Sequence, residues 1–573
     1  MGRSKTVFII VITALFSCTI HAQEMETRLD QTLAALHKAR VFNGAVLVAK
    51  GNDIILRKGY GTANMEWNVP VTPETRFRIG SVTKQFTASI ILKLMEEGKI
   101  DLQAKLRNYI PEYPSSQADD VTIHMLLNHT SGIPSYTSLP GFMERNTRLP
   151  YPPDSMFAVF AHLPYDFEPG SRWQYNNSGY FILGSVIEHV TGKPYDEVLR
   201  EFLLQPLVMN GSGYEHNEDV IPQFAGGYVR IPGGYQRAAW LDATVPYAAG
   251  MMYSTVDDLY HWTRALHAGQ VFANQKTFEM MTTPYMQNYG YGLMIHTVKA
   301  GEKDVRVVEH GGGIFGFRAA LWYLPEEEYT IVVLDNTEGR ADFAANAAFR
   351  ILHGLDVEFP KPSIAEEMQR VIDADGIGAA EKRYADLKKN ESGKWNFDET
   401  ELNTLGYLYL RAGKTDIALN VFKMNIDAYP KSSNPYDSYG EALAKAGRKD
   451  EAIAMYQKAL EINPGSAGAK AALERLGAKV EEKAVNITPE LLDRYVGRYE
   501  LKPGFVLEVT REGTQLFTQA TGQSRFEIFP STETTFYLKV VEAQITFETN
   551  GDAPSPSLTL HQNGRDMPAK RVK

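Results

Sequence analysis

The sequence predicts an α+β domain, followed by an all-α region and then a small all-β domain. Two changes of pattern along the 573 residues support this order. Between residues 24 and 356, β-rich runs at both ends enclose helical segments, which is typical of an α+β domain. From 363 to 480 the pattern is helical and strand signals vanish. From 487 to 573, alternating apolar residues and glycine-containing turns predict strands again.

Length and composition indicate a globular protein of several domains. A chain of 573 residues is too long for one hydrophobic core. Its hydrophobic content of 44% and charged content of 22% are ordinary for such proteins. The net charge is −10 and no long basic run occurs, which argues against nucleic acid as a partner.

The first 23 residues have the pattern of a secretory signal peptide. Two basic residues precede the apolar run Val7 to Phe16, and residues 20–23 resemble a signal-peptidase site. We therefore expect residues 1–23 to be removed and the protein to be periplasmic or secreted. The only cysteine, Cys18, lies in this segment, so no intramolecular disulfide can form. Residues 15–18 also resemble a lipoprotein box, and lipidation of Cys18 would instead anchor the protein to a membrane.

The α+β domain is predicted to begin with a helix and a hairpin. The spacing of apolar residues predicts an amphipathic helix from Glu24 to Arg40. Two β-rich runs, 44–49 and 53–57, flank Lys50-Gly51-Asn52, which predicts a hairpin. The helix face expected to be buried carries Leu29, Leu33, Leu36 and Ala39.

Helices are predicted for the middle of this domain. A short loop ends at Gly80, and an apolar-periodic helix starts near Ser81. Ser254-Thr255 provides N-cap residues for a helix from Val256. The other predicted elements are helix-and-turn segments within 120–132 and 170–192, three β-rich runs within 305–336, and a closing helix at 341–353.

The all-α region contains an internal repeat. Six residue types recur after 34 positions, which is the period of tetratricopeptide repeats. We predict repeats at about 400–433 and 434–467 within a helical domain at 363–480. Because two repeats rarely stand alone, Ser363 to Asn390 is expected to supply a divergent helix pair. The matching residues are Gly406, Ala412, Gly413, Ala418, Phe422 and Pro430 with Gly440, Ala446, Gly447, Ala452, Tyr456 and Pro464.

The last region is predicted to be an antiparallel meander or barrel over 487–573. Apolar residues alternate with polar ones, which is the period of half-buried strands. The alternating residues are Phe505, Leu507 and Val509, then Phe536, Leu538 and Val540, and the turn signals are Glu512-Gly513, Asn550-Gly551 and Asn563-Gly564.

The chemistry is predicted to centre on Ser81-Val82-Thr83-Lys84. Residues i and i+3 share a helix face, so Lys84 can bring its amine to the Ser81 hydroxyl. A serine becomes nucleophilic when a base takes its proton, and an amine is a base only when neutral. Burial lowers the pKa of a lysine, and a helix N-terminus offers N–H groups to an oxyanion. The stretch could therefore carry out acyl transfer, although the same spacing also occurs in capped surface helices.

Two further motifs could complete an acyl-transfer site. Such a site also needs a proton donor for the leaving group and an oxyanion hole. Tyr175-Asn176-Asn177 offers a phenol and an amide, and the phenol could shuttle a proton if the nearby lysine lowers its pKa. In His310-Gly311-Gly312-Gly313, glycines let a substrate approach the backbone. An N–H of this strand could form the oxyanion hole with the Ser81 N–H.

The order Ser-x-x-Lys, Tyr-x-Asn, His-x-Gly resembles the serine β-lactamase and penicillin-binding-protein superfamily. It is most similar to the class C branch, with its esterases and D-aminopeptidases. Further matches at 126–132, 169–170 and 249–255 extend the resemblance over about 24–356. It implies a β-lactamase/DD-peptidase-like fold, in which helices pack on an antiparallel sheet. The helical and β regions that follow resemble domains often fused to this family.

The resemblance implies roles for the residues around the nucleophile. Ser81 would be the acylated nucleophile, and Lys84 and Tyr175 the acid/base pair. Asn177 would bind both the substrate and the lysine. Which group takes the serine proton is disputed for related enzymes.

The strand motif would bind substrate through His310, Gly311 and Gly312, and the Gly313 N–H would join that of Ser81 in the oxyanion hole. His310 stands where relatives have the lysine of a Lys-Thr-Gly triad. A histidine with a pKa of about 6.5 is mostly uncharged at neutral pH, and Gly311 lacks a hydroxyl. We therefore expect weak β-lactamase activity and a preference for substrates without a carboxylate beside the scissile bond. Carboxylate substrates are expected to be handled better near pH 6, as His310 gains charge.

Other catalytic classes do not fit the sequence. No Gly-x-Ser-x-Gly occurs, which excludes a lipase-type nucleophile elbow. No His-Glu-x-x-His occurs, and His124 and His129 are wrongly spaced for one helix face, so no metal site and no cofactor is expected. We interpret His129 as structural, and Asp257 and Asp258 as acidic residues of a first helical turn.

The sequence thus predicts an exported serine hydrolase that acts through a Ser81 acyl-enzyme. Its substrates are expected to be esters or small amides, including D-amino-acid derivatives. The alternative is a β-lactamase or D-alanyl-D-alanine carboxypeptidase, and a second alternative is a non-catalytic binding or sensor protein that uses the tetratricopeptide groove. The expected partners are a small ester or peptide-like molecule and a protein at the tetratricopeptide region. Membrane attachment is expected only if Cys18 is lipidated.

Overall fold

The structure divides into two compact units. One comprises residues up to 230 and 235–360, and the other comprises 231–234 and residues from 361 onward. The predictions for the signal peptide with Cys18 and for the turn Asn563-Gly564 lie outside the described residues. The computed structural model describes residues 23–479, 487–502, 504–521, 523, 525–541, 543–562 and 565–572.

Between residues 23 and 360, strands lie near both ends and most helices lie between them, as expected for an α+β domain. The strands are β1 (Gly44–Lys50), β2 (Asp53–Tyr60), β3 (Thr62–Asn64), β4 (Val69–Pro70), β5 (Phe77–Arg78), β6 (Gly213–Tyr214), β7 (Tyr228–Ile231), β8 (Gly234–Arg237), β9 (Met252–Ser254), β10 (Met294–Ala300), β11 (Lys303–Ile314), β12 (Phe317–Leu324) and β13 (Tyr329–Asp335). The helices are α1 (23–38), α2 (Thr83–Glu96), α3 (Gln117–Asp120), α4 (Ile123–Leu127), α5 (Phe142–Arg145), α6 (Pro153–Phe160), α7 (Asn177–Thr191), α8 (Tyr195–Leu199), α9 (Val256–His267), α10 (Gln275–Met281) and α11 (Ala341–Leu352).

A six-stranded antiparallel sheet forms the centre of the first unit, in the order β10-β11-β12-β13-β1-β2. Successive side chains of a strand point to opposite faces. In β1, Val46 and Val48 join the core formed with α1 and α11. Ala45 and Leu47 face the other core, which contains α2, α7 and α9. The sheet is therefore covered on both faces, and the fold class predicted from the sequence is confirmed.

The amphipathic helix predicted at the start of the domain is largely as expected. Leu29, Leu33 and Leu36 are fully buried against the sheet. The expectation for Ala39 is wrong, because the helix ends at residue 38 and Ala39 lies exposed in the turn that follows. Arg40 in that turn has a φ of 58°, which breaks the helical path.

The start of α2 is fixed by burial from several sides. A 3₁₀ turn at Gly80–Val82 leads directly into α2. Most residues of α2, from Thr83 to Leu94, are buried. Phe86 stacks on Trp262 of α9, with ring centroids 4.2 Å apart. Burial of such an aromatic side chain stabilises the fold by about 2 kcal/mol. Packing of this kind holds the position of the residues just before it, where Ser81 lies.

The second unit begins with paired helices that show the predicted repeat. A β-carbon added to Gly406 would lie 2.5 Å from Phe422, and one added to Gly440 would lie 3.2 Å from Tyr456. Small residues thus let the two helices of each repeat touch at equivalent places, as the 34-residue period predicts. The helices are α12 (Ile364–Asp375), α13 (Ile377–Asn390), α14 (Glu399–Arg411), α15 (Thr415–Ala428), α16 (Asn434–Lys445), α17 (Lys449–Ile462), α18 (Ala467–Arg475) and α19 (Pro489–Tyr495).

The C-terminal strands form a closed barrel rather than an open meander. The first and last strands pair antiparallel, with Arg498 opposite Val572. Val540 does not continue the predicted alternation, because its strand ends at Leu538 and Val540 is 63% exposed in the following turn. The strands are β14 (Gly497–Lys502), β15 (Phe505–Glu512), β16 (Gln515–Ala520), β17 (Arg525–Pro530), β18 (Thr535–Leu538), β19 (Ala543–Phe547), β20 (Ser557–Gln562) and β21 (Arg565–Val572).

None of the helices in the described ranges combines the length and the apolar character needed to span a bilayer.

Candidate active site

Ser81 and Lys84 meet where α2 begins. The Lys84 Nζ lies 3.0 Å from the Ser81 Oγ. The same amine donates to Asn177 Oδ1 and to the carbonyl oxygen of Ala249, each at 2.8 Å. Lys84 is fully buried. The i, i+3 spacing therefore places base and nucleophile together, as a shared helix face predicts.

Burial favours the neutral form of the Lys84 amine. It lowers the pKa of the amine well below the usual value for lysine, because a buried ammonium loses its hydration. A neutral amine has two N–H donors and one lone pair. Its donors are occupied by Asn177 Oδ1 and Ala249 O, which are acceptors. The lone pair is then left for the Ser81 hydroxyl, and Lys84 is arranged as a general base.

The orientation of the Asn177 amide is fixed by its other contacts. Its Nδ2 donates to Thr137 Oγ1 at 2.9 Å, which leaves Oδ1 facing Lys84. Its backbone N–H donates to Ser135 Oγ at 3.1 Å. The preceding Asn176 caps α7 by accepting from the Gly179 N–H. Helix capping thus places the amide of Asn177 next to the lysine.

Tyr175 stands against both Ser81 and Lys84. The Lys84 Nζ lies 4.9 Å from the centre of the Tyr175 ring. Burial raises the pKa of Tyr175, and a hydrogen bond with Ser81 offsets this only in part. The condition set for a proton shuttle, a pKa lowered by the lysine, is therefore not met, because burial raises the pKa of this phenol. Tyr175 is protonated at neutral pH and is suited to donate a proton rather than to take one.

His129 holds the segment that carries Tyr175 from both sides. Its carbonyl oxygen accepts from the Gln174 N–H at 3.0 Å, and its Nδ1 accepts from the Asn176 N–H at 3.1 Å. Its ring packs on that of Tyr175, with centroids 4.5 Å apart. His129 has a φ of 64°, unusual for a non-glycine residue. These contacts make His129 a positioning residue for Tyr175. The sequence motif did not indicate them.

The end of β11 supplies the candidate oxyanion hole. Pairing with β10 stops at Glu309, so the following residues of β11 have a free edge on that side. A β-carbon added to Gly80 would lie 2.7 Å from the Gly313 nitrogen. Such close approach brings the Gly313 amide beside the 3₁₀ turn that contains Ser81, as two oxyanion donors require.

The structure gives His310 a different setting from the one expected. It is buried, with 5% of its surface exposed. Its Nδ1 donates to the Gly311 carbonyl at 2.6 Å, and the Tyr289 hydroxyl donates to its Nε2 at 3.0 Å. Burial lowers the pKa of His310 to about 4, because a buried imidazolium loses its hydration. The expectation that His310 gains charge near pH 6 is therefore wrong.

A cleft of about 470 Å³ opens beside Ser81. Gly313 lines it, whereas His310, Gly311 and Gly312 do not. Gly311 is exposed on its strand, and its contact with substrate stays a prediction. Sequence reasoning missed Arg318 and Glu338, because nothing in the sequence indicates that their segments meet at the nucleophile. The lining residues are Ser81, Tyr136, Thr137, Met143, Asn177, Leu241, Val245, Pro246, Ala249, Gly250, Gly313, Ile314, Phe315, Arg318 and Glu338.

Metal chemistry has no evident ligand set in the part of the chain that the structure describes. No group of three or more histidine, cysteine, aspartate or glutamate side chains there could hold an ion. The site is built from a serine, a buried lysine, a phenol and backbone amides. This combination of fold and site is that of a serine hydrolase of the β-lactamase and penicillin-binding-protein type.

The chain belongs to the beta-lactamase family, whose profile matches residues 29–356. A tetratricopeptide repeat profile matches 434–466, and a domain of unknown function (DUF3471) matches 481–571. Penicillin-binding protein 4* of Bacillus subtilis (strain 168) is 24% identical over 570 residues, which are 95% of this chain and 98% of that protein.

Two solved structures share the fold. The octameric penicillin-binding protein homologue from Pyrococcus abyssi is 21% identical, with a TM-score of 0.51, and covers 95% of this chain and 99% of its own. The D-amino acid amidase from Ochrobactrum anthropi SV3, complexed with L-phenylalanine amide, is 23% identical with a TM-score of 0.51. It covers 58% of this chain and 99% of its own. The recognition of the superfamily from sequence motifs is confirmed by the family match.

Proposed function

We propose that the protein hydrolyses esters or small amides through an acyl-enzyme on Ser81. The observation that carries this proposal is the buried Lys84, whose lowered pKa favours a neutral amine. The two N–H groups of that amine face Asn177 Oδ1 and Ala249 O, which leaves its lone pair for the Ser81 hydroxyl. Burying an amine away from water costs free energy of folding. A catalytic role explains why the protein keeps such an arrangement.

Acylation begins with transfer of the Ser81 proton to Lys84. As the Oγ bonds to the acyl carbon, the carbonyl oxygen becomes an oxyanion that accepts from the N–H groups of Ser81 and Gly313. The bond to the leaving group then breaks, and its electron pair stays with the departing oxygen or nitrogen. Tyr175, protonated at neutral pH, donates a proton to that atom and recovers one from the Lys84 ammonium.

Deacylation reverses these roles with water as the nucleophile. Water loses a proton to the base as its oxygen bonds to the acyl carbon, and the oxyanion again faces Ser81 and Gly313. The ester bond to the Ser81 Oγ breaks, and the Oγ takes a proton back. The products are a carboxylic acid and the alcohol or amine, and the site returns to its starting protonation state.

The substrate class is an ester or small amide, with D-amino-acid derivatives included. β-Lactamase or D-alanyl-D-alanine carboxypeptidase activity is the alternative, and the neutral, enclosed His310 weighs against it because a substrate carboxylate would find no charge there. A non-catalytic sensor is the second alternative, and the assembled Ser81, Lys84, Tyr175 and Asn177 weigh against it.

Two accessory proposals rest on the sequence. The pattern of residues 1–23 favours export to the periplasm or the medium, with lipidation of Cys18 as the alternative. The paired helices of the second unit favour a role in binding a protein partner.

The decisive experiment is covalent labelling of the whole protein with a fluorophosphonate or penicillin probe. We expect the probe mass on the peptide that contains Ser81, and loss of labelling in Ser81→Ala. The matched control is Ser89→Ala, since Ser89 lies on the same helix, is buried and donates to Gln85 O away from the cleft. Equal labelling of wild type and Ser81→Ala would exclude the proposed nucleophile.

A further inference from the structure

The cleft beside Ser81 is lined by one cation and one anion. Arg318 comes from the start of β12, and Glu338 comes from the turn between β13 and α11. All the other lining residues carry no charge at neutral pH. The electrostatic character of the cleft is therefore set by these two side chains, which have no part in the proposed acid/base chemistry.

Arg318 stands over the candidate oxyanion donor. It is directly opposite Gly313 in the β11–β12 register, and a β-carbon added to Gly313 would lie 3.5 Å from its Nη1. Its Nη1 donates to the Phe317 carbonyl at 2.9 Å, and its Nη2 lies 3.5 Å from Glu338 Oε2. The guanidinium is thus held in place, but 38% of the side chain is exposed, and Arg318 lines the cleft.

Glu338 is placed by a turn with an unusual backbone. Its φ is 48°, a conformation that costs free energy for a residue with a long side chain. The fully buried carboxylate of Asp335 holds the turn by accepting from the N–H groups of Thr337 and Gly339. Glu338 Oε1 accepts from the Gly316 N–H at 2.7 Å. Its Oε2 faces Arg318, and 26% of the side chain is exposed.

We propose that Glu338 is a specificity-determining residue that cancels the charge of Arg318, so that the cleft selects acyl donors without a carboxylate beside the scissile bond. This inference rests on the proposed hydrolase function. Arg318 is the cation that a substrate carboxylate would meet in the cleft, since His310 is neutral and enclosed. With Glu338 beside it, the attraction of Arg318 for that carboxylate is offset by repulsion at similar distance.

The test compares two substrates that differ only in this charge. Benzoylglycolate has a carboxylate on the leaving group, and benzoylglycolamide has a neutral carboxamide in the same place. The ratio of their kcat/KM values cancels any general loss of activity in a variant. We expect the ratio of kcat/KM for benzoylglycolate to that for benzoylglycolamide to be below one in the wild type. It should rise about tenfold in Glu338→Gln and fall below the wild-type value in Arg318→Gln.

The control is Glu326→Gln, which removes the same charge from an exposed residue outside the cleft. It is expected to leave the ratio unchanged. A ratio that is the same in wild type, Glu338→Gln and Arg318→Gln would overturn the inference, as would an equal rise in Glu326→Gln.

Binding in the Ser81→Ala background separates this inference from the catalytic proposal. The dissociation constants of the two compounds are measured there by calorimetry, with and without Glu338→Gln. A shift of about tenfold toward benzoylglycolate supports the role of Glu338 even if Ser81 proves not to be acylated. Acylation of Ser81 with no shift in either measurement would leave the hydrolase intact and refute the specificity role.

Discussion

Lys84 and His310 are two buried basic groups near the Tyr175 ring, and their hydrogen-bond partners differ. Burial lowers the pKa of both groups and so favours the neutral form of each. The Lys84 amine has its donors occupied and its lone pair left for the Ser81 hydroxyl. The His310 ring has both nitrogens engaged, one by the Tyr289 hydroxyl and one by the Gly311 carbonyl.

The difference shows that desolvation alone does not make a catalytic base. A neutral nitrogen can take a proton only if its lone pair faces the group that loses one. That direction is set by the other partners of the nitrogen, which are Asn177 and Ala249 for Lys84 and Tyr289 for His310. The comparison predicts that substitutions at the two positions differ greatly in their effect on acylation.

Replacement of Lys84 is expected to have the largest effect. Lys84→Met keeps an unbranched side chain but removes the amine. Because the general base is lost, acylation of Ser81 should slow by about 10³-fold. The measurement is the rate of fluorophosphonate labelling at pH 7.5, with circular dichroism to show that the fold persists. His310→Gln is the matched variant, and a comparable loss there would refute the contrast between the two groups.

The sequence was sufficient to predict the pairing of Lys84 with Ser81, but not the surroundings of His310. Ser81 and Lys84 are three residues apart, so helix geometry alone brings them together. The surroundings of His310 depend on Tyr289, which is 21 residues away in sequence. The net charge of the cleft depends on Glu338, which is 20 residues from Arg318. Burial by distant segments has no local signature, which is why the sequence did not predict the lowered pKa of His310 or the raised pKa of Tyr175.

The same limit applies to the fold. Patterns of period 2 and 3.6 and the 34-residue repeat were enough to predict the three regions, because each is a local signal. Whether the last region closes into a barrel depends on pairing between its first and last strands, with Arg498 opposite Val572. An alternating pattern is the same in a meander and in a barrel, so the sequence left both open.

Tyr175 is expected to matter most where the leaving group is poor. Tyr175→Phe removes the proton donor while keeping the ring against Lys84. We expect a loss of about 10²-fold in kcat/KM for an anilide and about tenfold for a p-nitrophenyl ester, because p-nitrophenolate leaves without a proton. Equal losses for the two substrates would show that Tyr175 does not protonate the leaving group.

His129 should have a smaller effect that reveals its positioning role. His129→Ala removes the acceptor for the Asn176 N–H, and kcat for an anilide is expected to fall about tenfold while KM changes little. His129→Asn restores an acceptor near the place of Nδ1, and asparagine tolerates a positive φ. Recovery of kcat in His129→Asn would support positioning, whereas equal loss in both variants would indicate a general packing defect.

The smallest expected effect is that of His310 on acid stability. Its folded pKa of about 4 lies below the unfolded value of about 6.5. Between these values the unfolded chain binds more protons, so stability falls as the pH drops from 6.5 toward 4. His310→Gln should reduce this slope by up to about 1.4 kcal/mol per pH unit, measured by urea unfolding. An unchanged slope would mean that His310 titrates normally.

In the wild-type protein, the ratio of kcat/KM for benzoylglycolate to that for benzoylglycolamide should also stay constant between pH 8 and pH 6. His310 stays neutral over this range, because burial holds its pKa at about 4. A rise in the ratio near pH 6 that disappears in His310→Gln would restore the interpretation drawn from the sequence alone.

Closure of the C-terminal barrel has a consequence for how this region folds. Strands β14 to β20 pair in sequence order, but the ladder is complete only when β21 joins β14. Before β21 is available, the partial sheet has two edges with unpaired backbone groups, each able to capture a strand of another chain. Because the closing contact links residues far apart in sequence, it is expected to form late. Proteolytic loss of Arg565–Val572 would therefore convert a region without edges into a template for aggregation.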